Sequence, residues 1–202
     1  MVTSVKELNI IITGVGGQGV VMMSELLGNA AVRDGLKVLG SEVLGMSQRG
    51  GSVFSNIRLG HEIYSPMTSD GQCDVLVALE PSEALRNIQY LNPSSIVIMN
   101  SRKIIPAMVS LGKSTYPELE QIKEKLQTVT GKLIVLDALE LAEKAGNRQS
   151  INVVMLGTLF GCGKMPINAD TIKSLIRERF PAKTADINIK AFDLGRQICE
   201  RK

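Results

Sequence analysis

Two glycine-rich segments are where this chain could do chemistry. Gly14-Val15-Gly16-Gly17-Gln18-Gly19 has the spacing G-x-G-x-x-G, and the apolar run before it and the helical pattern after it place it between a strand and a helix. In that setting glycines let backbone N–H groups come close to a phosphate at a helix start, where the macrodipole adds about 0.3–1 kcal/mol for one anion. Three readings stay open from the residues: nucleotide binding, a phosphate or cofactor edge lent to a partner's site, or a structural tight turn. An NAD site asks for an acid roughly 20 residues on, at the end of the second strand. Glu42 is near that place, although Val43 and Leu44 continue the strand beyond it.

The second segment runs from Gly45 to Ser52 and contains Ser47, Gln48, Arg49, Gly50 and Gly51. An arginine beside two glycines can offer its planar fork to a carboxylate or phosphate with little obstruction. The alternative is an exposed connection carrying a solvated arginine. Other chemistries find little support. His61 is the only histidine, its place suits an exposed turn, and no Ser-His-Asp or Cys-His set surrounds it. Cys73, Cys162 and Cys199 are odd in number and widely spaced, without a Cys-x-x-Cys to hold zinc or an iron–sulfur cluster, so they read as small neutral thiols. Asp70-Gly71 lacks the preceding glycine and the later asparagines of a thiamine diphosphate site. The expectation is no metal and no cofactor held by this chain alone.

These segments need a scaffold. The pattern predicts strands at 8–13 and 37–44 with a helix at 20–32 between them, a βαβ start with parallel strands. Residues 53–59 and 62–64 flank Gly60-His61, which predicts a β-hairpin with its turn there. Further strands are expected at 74–79, 95–99 and 132–137. Helices are expected from Pro81 to about residue 90, at 117–127, and at 138–144 closed by Gly146. The last third reads as helical: 151–160, 169–179 and 185–200, with 153–160 apolar all round, either a core helix or one shared with another subunit. The fold class is α/β, a mostly parallel, mixed central sheet with helices on both faces, one hairpin insertion and a Rossmann-like start. Ligands of such sheets sit at the carboxyl ends of strands, here Thr13-Gly14, the stretch after Leu44, Leu79-Glu80 and Asn100-Ser101.

Length and composition bound the rest. With 202 residues, 44% of them apolar and 21% charged, the chain suits one globular domain spanning 1–202. The net charge of +3 comes from scattered basic residues, which does not suit a nucleic-acid surface. No apolar run reaches membrane-spanning length and no signal-peptide pattern opens the chain, so a cytoplasmic location and no membrane partner are expected.

GVGGQGV after the first strand, then SEVLGMSQRGGSVFSNIR and CDVLVALEPSEALR, together resemble the gamma-type domain of 2-oxoacid:ferredoxin oxidoreductases. GMSQRGGSV, the YSP at Tyr64 to Pro66 and INVVMLG at Ile151 to Gly157 are most similar to the small subunit of the indolepyruvate type. The resemblance implies a complex that oxidatively decarboxylates a 2-oxoacid with coenzyme A, giving acyl-CoA, carbon dioxide and reduced ferredoxin. Thiamine diphosphate, its magnesium and the iron–sulfur clusters would sit on the partner subunit, and ferredoxin would be met through that subunit. By the same resemblance Gly14, Gly16, Gly17, Gln18 and Gly19 form a cofactor-binding loop. Ser47, Gln48, Arg49, Gly50 and Gly51 would face the substrate and coenzyme A, and Asn100 is placed with them by its position at the carboxyl end of a strand. Leu44 is a departure, since the indolepyruvate pattern often has histidine there, and it leaves the 2-oxoacid open. A homodimer is compatible with the late apolar helices when the partner is absent. The rival reading is a stand-alone NAD-binding Rossmann module that uses Glu42.

Overall fold

The computed structural model describes residues 6–44 and 51–200. The chain enters at β1 (Leu8–Val15), passes through α1 (Val20–Arg33) and returns as β2 (Lys37–Leu44) and β3 (Ser52–Gly60). β4 (Val75–Ala78), α2 (Pro81–Arg86), β5 (Ile96–Asn100), the short α3 (Ala107–Ser110), α4 (Leu119–Gln127) and β6 (Lys132–Leu136) follow. Four helices close the chain: α5 (Ala138–Ala145), α6 (Ile151–Gly161), α7 (Ala169–Arg179) and α8 (Ala182–Glu200).

The six strands form one sheet in the order β2-β3-β1-β4-β5-β6. β1, β4, β5 and β6 are parallel neighbours, whereas β3 runs antiparallel to both β1 and β2. Side chains alternate across the pleat. Ile10 and Ile12 therefore join Met23, Leu27, Val153 and Phe192 on one face, and Ile11 joins Leu76, Ile122 and Leu126 on the other. α1 and α5 to α8 cover the first face and α2 and α4 the second, as the α/β reading expects. All eight residues of β1 are buried, because it lies inside the sheet with helices above and below.

The hairpin expected across Gly60-His61 does not form; the antiparallel partner of β3 in a hairpin is β2. Residues 62–64 form no strand, and Tyr64 is 86% exposed. Instead β3 pairs with β2, and with β1 on its other side. The physical reason is burial: β3 buries Val53, Ile57 and Leu59 on one face and Asn56 on the other, which suits an inner strand with two neighbours. Gly60 ends it, and the N–H groups of His61 and Glu62 both donate to the Lys6 carbonyl. A second consequence is that β1 and β2, parallel as expected, are not adjacent. The helix expected to about residue 90 is interrupted at Asn87, whose side-chain amide donates to the Glu83 carbonyl and to Thr13 Oγ1, and resumes as a 3-10 turn over Ile88–Tyr90.

Caps follow the local residue types. Glu80 accepts from the N–H groups of Ser82 and Glu83 at the start of α2, with Pro81 in its first turn. Asp137 caps α5, and Gly146 closes it at φ 113°, where a side chain would be strained. α6 is core: Asn152 to Phe160 are buried, and a β-carbon on Gly157 would lie 2.0 Å from the Phe192 carbonyl oxygen of α8. Among the described residues no helix is long and apolar enough to cross a membrane.

Candidate functional site at the carboxyl edge of the sheet

β1 ends in the glycine loop, and α1 starts at Gly19 without a side-chain cap or an acid in its first turn. The first N–H groups of a helix have no intrahelical acceptor, so this end of α1 is chemically suited to an anion. Gly17 and Gly19 have φ of 96° and 84°, a left-handed backbone that other residues adopt at a cost. Gln18 holds the loop from inside: its Oε1 accepts from the Val15 N–H at 2.8 Å and its Nε2 donates to the Leu79 carbonyl at 3.0 Å. Gly14 makes room for that amide: a β-carbon there would lie 2.7 Å from Gln18 Oε1 and 3.1 Å from Leu79 Cβ, so Gln18 would have to shift.

The second segment meets the first at Gly51, whose carbonyl accepts from the Gly16 N–H at 2.7 Å. Ser47, Gln48, Arg49 and Gly50 lie outside the described residues. Ser52, the next residue, donates its hydroxyl to Glu83 Oε2 at 2.6 Å, and Arg86 Nε is 3.1 Å from the other oxygen of that carboxylate. Burial raises the Glu83 carboxyl above the usual carboxylate range, opposed by Ser52 and Arg86. Asn100 is 1% exposed and braces the site from behind: its Nδ2 donates to the Leu79 carbonyl at 3.2 Å and its Oδ1 accepts from the Ala138 N–H at 3.2 Å. Leu79 thus receives both Gln18 and Asn100.

Asn152 went unnoticed in the sequence, and the bonding of Glu80, known only as a strand end, was not visible there. Asn152, at the start of α6, lies against Gly19 so closely that a β-carbon there would be 2.1 Å from its Nδ2. Its only sequence signal was its place in INVVMLG. Glu80 is fully buried and accepts from the Ile104 N–H as well as from Ser82, Glu83 and the Tyr116 hydroxyl. Burial and that carboxylate push the Tyr116 hydroxyl far up, so it stays a donor. Glu80 thereby pins the segment after β5, on which Ile104, Ile105, Met108 and Leu111 are 39–68% exposed. Between this segment and the loops is a cavity of about 410 Å³, lined by Val15, Gly51 and Ser52 on one side and Ile104 to Met108 on the other. Glu83 and Arg86 supply its charge.

Cofactor fit can be tested on these residues. Asp70-Gly71 precedes β4, at the opposite sheet edge from the glycine loop, and does not make a diphosphate and magnesium site. Among the described residues no group of three or more His, Cys, Asp or Glu could hold a metal ion, and Cys73 is buried in the core on the opposite face of the sheet from Cys162 and Cys199. Among the described residues, neither Asp70-Gly71 nor the cysteines make a fit for thiamine diphosphate or an iron–sulfur cluster. Nor does Glu42 suit a ribose of a nucleotide on the glycine loop. β3 lies between its strand and β1, a separation of about 10 Å instead of one strand spacing. Its carboxylate accepts instead from Ser24 Oγ at 2.5 Å.

Residues 9–198 match the sequence profile of the family described as pyruvate ferredoxin/flavodoxin oxidoreductase. The chain is 47% identical over 191 residues to indolepyruvate oxidoreductase subunit IorB of Pyrococcus horikoshii, covering 94% of this chain and 95% of that protein. The pyruvate oxidoreductase subunit PORC of Thermotoga maritima has the same fold, with a TM-score of 0.73 at 22% identity over 96% of this chain and 97% of that one. So does part of the 2-oxoglutarate:ferredoxin oxidoreductase of Magnetococcus marinus, solved with 2-oxoglutarate, coenzyme A and succinyl-CoA. There the TM-score is 0.77 at 19% identity, over 98% of this chain and 32% of that chain.

Proposed function

The chain belongs to the pyruvate ferredoxin/flavodoxin oxidoreductase family, and on that premise we propose that it is the small subunit of a cytoplasmic 2-oxoacid:ferredoxin oxidoreductase. The complex oxidatively decarboxylates a 2-oxoacid, indolepyruvate by likeness to its relatives, with coenzyme A as acyl acceptor. The products are acyl-CoA, carbon dioxide and reduced ferredoxin. Thiamine diphosphate, magnesium and the iron–sulfur clusters belong to the partner subunit, which also meets ferredoxin. The observation that carries this reading is the 47% identity to an IorB subunit along nearly the whole length of both chains.

The part this chain plays is to bind and position. The glycine loop brings the start of α1 to the partner, and the second segment, tethered at Gly51, presents Arg49 to an anionic group of coenzyme A or substrate. Gln18 and Asn100 act from behind by holding three strand ends at fixed spacing. The exposed apolar segment from Ile104 to Leu111 adjoins the same edge and suits burial against the partner.

The test is co-expression of tagged protein with the thiamine-binding chain encoded beside it, followed by assay of 2-oxoacid-dependent dye reduction with and without coenzyme A. Co-purification with activity that neither chain has alone supports the reading. Failure to associate, with saturable NAD binding by the isolated chain that Glu42→Ala removes, would favour a dinucleotide module instead. In the active complex, Arg49→Ala should raise the KM for coenzyme A or the 2-oxoacid; unchanged kinetics would take Arg49 out of the site.

A further inference from the structure

α6 and α8 are packed through glycine. A β-carbon on Gly157 would lie 2.0 Å from the Phe192 carbonyl oxygen, one on Gly161 2.3 Å from that of Arg196, and one on Gly195 2.0 Å from that of Val154. Cys162 caps the end of α6 and Cys199 lies in the last turn of α8, where this close approach ends. Their Sγ atoms are 3.3 Å apart, and both lie near the Thr158 carbonyl oxygen, at 3.3 and 3.6 Å. Both residues are partly exposed, unlike the fully buried Cys73.

We propose that Cys162 and Cys199 form a dithiol site that reacts with a small organic disulfide and closes to an intramolecular bridge between α6 and α8. A bridge needs α-carbons within about 7 Å and sulfurs about 2.05 Å apart. The glycine contacts bring the two backbones together beside Cys162, so closure asks chiefly for side-chain rotation.

The exchange balances in two steps. The Cys199 thiolate attacks one sulfur of the small disulfide, whose S–S bond breaks as the mixed disulfide forms and the first small thiol leaves. The Cys162 thiolate then attacks the Cys199 sulfur, the mixed bond breaks, and the second small thiol leaves. The small disulfide is reduced by two electrons, the two cysteines are oxidised, and their two protons end on the released thiols. Burial, with the neighbouring Cys199, pushes the Cys162 thiol up to about 12, which disfavours it as the first attacker; in the second step it acts on a sulfur already held beside it. The bridge closes a loop over a separation of 37 residues that includes all of α7, and so restricts the unfolded chain.

The test uses the purified full chain incubated with glutathione disulfide, trapped with iodoacetamide and read by intact mass and tryptic mapping. The expected product has lost two hydrogens, carries a cross-linked Cys162–Cys199 peptide, leaves Cys73 reduced, and melts about 5–10 °C higher than the reduced chain. Cys162→Ser should stop at one glutathione on Cys199, and Cys199→Ser should react about ten-fold more slowly than the parent. Accumulation of a stable mixed disulfide in the parent chain, or bridging seen only in denaturant, would overturn the proposal.

Discussion

The Gly16 N–H donates to the Gly51 carbonyl at 2.7 Å, a bond that joins the two glycine-rich segments across 35 positions of sequence. It fixes the exit of the Arg49 segment beside the start of α1. Gly51 and the start of β3 are therefore held at the carboxyl edge of the sheet, next to the glycine loop.

Gly19 and Gly17 should respond differently to alanine. Both have positive φ, which alone costs about 1 kcal/mol, but a β-carbon at Gly17 meets open space whereas one at Gly19 would lie 2.1 Å from Asn152 Nδ2. Urea denaturation should show Gly17→Ala losing about 1 kcal/mol and Gly19→Ala about 2–4 kcal/mol. Adding Asn152→Ala to Gly19→Ala should return part of that loss; equal losses for the two glycines would show that Asn152 does not restrain the loop.

Gln18 and Asn100 should be coupled through Leu79. Each donates to its carbonyl, so either single alanine variant leaves that oxygen one donor and the double variant leaves it neither. Each single change should cost about 1–2 kcal/mol, and the double about 1 kcal/mol more than their sum. Simple additivity in a double-mutant cycle would contradict the shared acceptor.

Two carboxyls should give opposite pH dependences. The Arg102 guanidinium holds Asp137 below the ordinary carboxylate range, with burial opposing. Its contribution is present above the unfolded value of about 4 and is lost as pH falls through the lower folded value. Glu83 is raised by burial, so between its unfolded and folded values the folded chain binds more protons and stability falls as pH rises. Denaturation from about pH 3 to about pH 8 should show the advantage of native Asp137 over Asp137→Asn vanishing in acid, while Glu83→Gln gains relative to the parent as pH rises through its window. Parallel profiles would mean that neither carboxyl is perturbed as its surroundings require.

How much of this was legible depended on whether the partner of a residue lay nearby in sequence. The glycine loop, Pro81 after Glu80, and the Gly146 stop are local signals, and the structure agrees with each. Gly60-His61 had the local chemistry of a hairpin turn, but the pairing of β3 was decided by burial of both its faces, which no dipeptide encodes. Gln18 read as a loop residue able to meet a ligand, yet its amide is spent on Val15 and on Leu79, 61 residues away. Asn152 was hidden in a helix apolar nearly all round, and the two thiols of α6 and α8, 37 residues apart, have no spacing rule to reveal them.

We propose that the carboxyl edge of the sheet is the face this subunit turns to its catalytic partner. Hydrogen exchange, compared between the isolated chain and the purified complex, tests it directly. Amides of 14–21 and 51–53 and of the segment from Ile104 to Leu111 should exchange more slowly in the complex, with a further slowing at the glycine loop when coenzyme A is added. Protection confined to the opposite edge, with these segments unchanged, would contradict it.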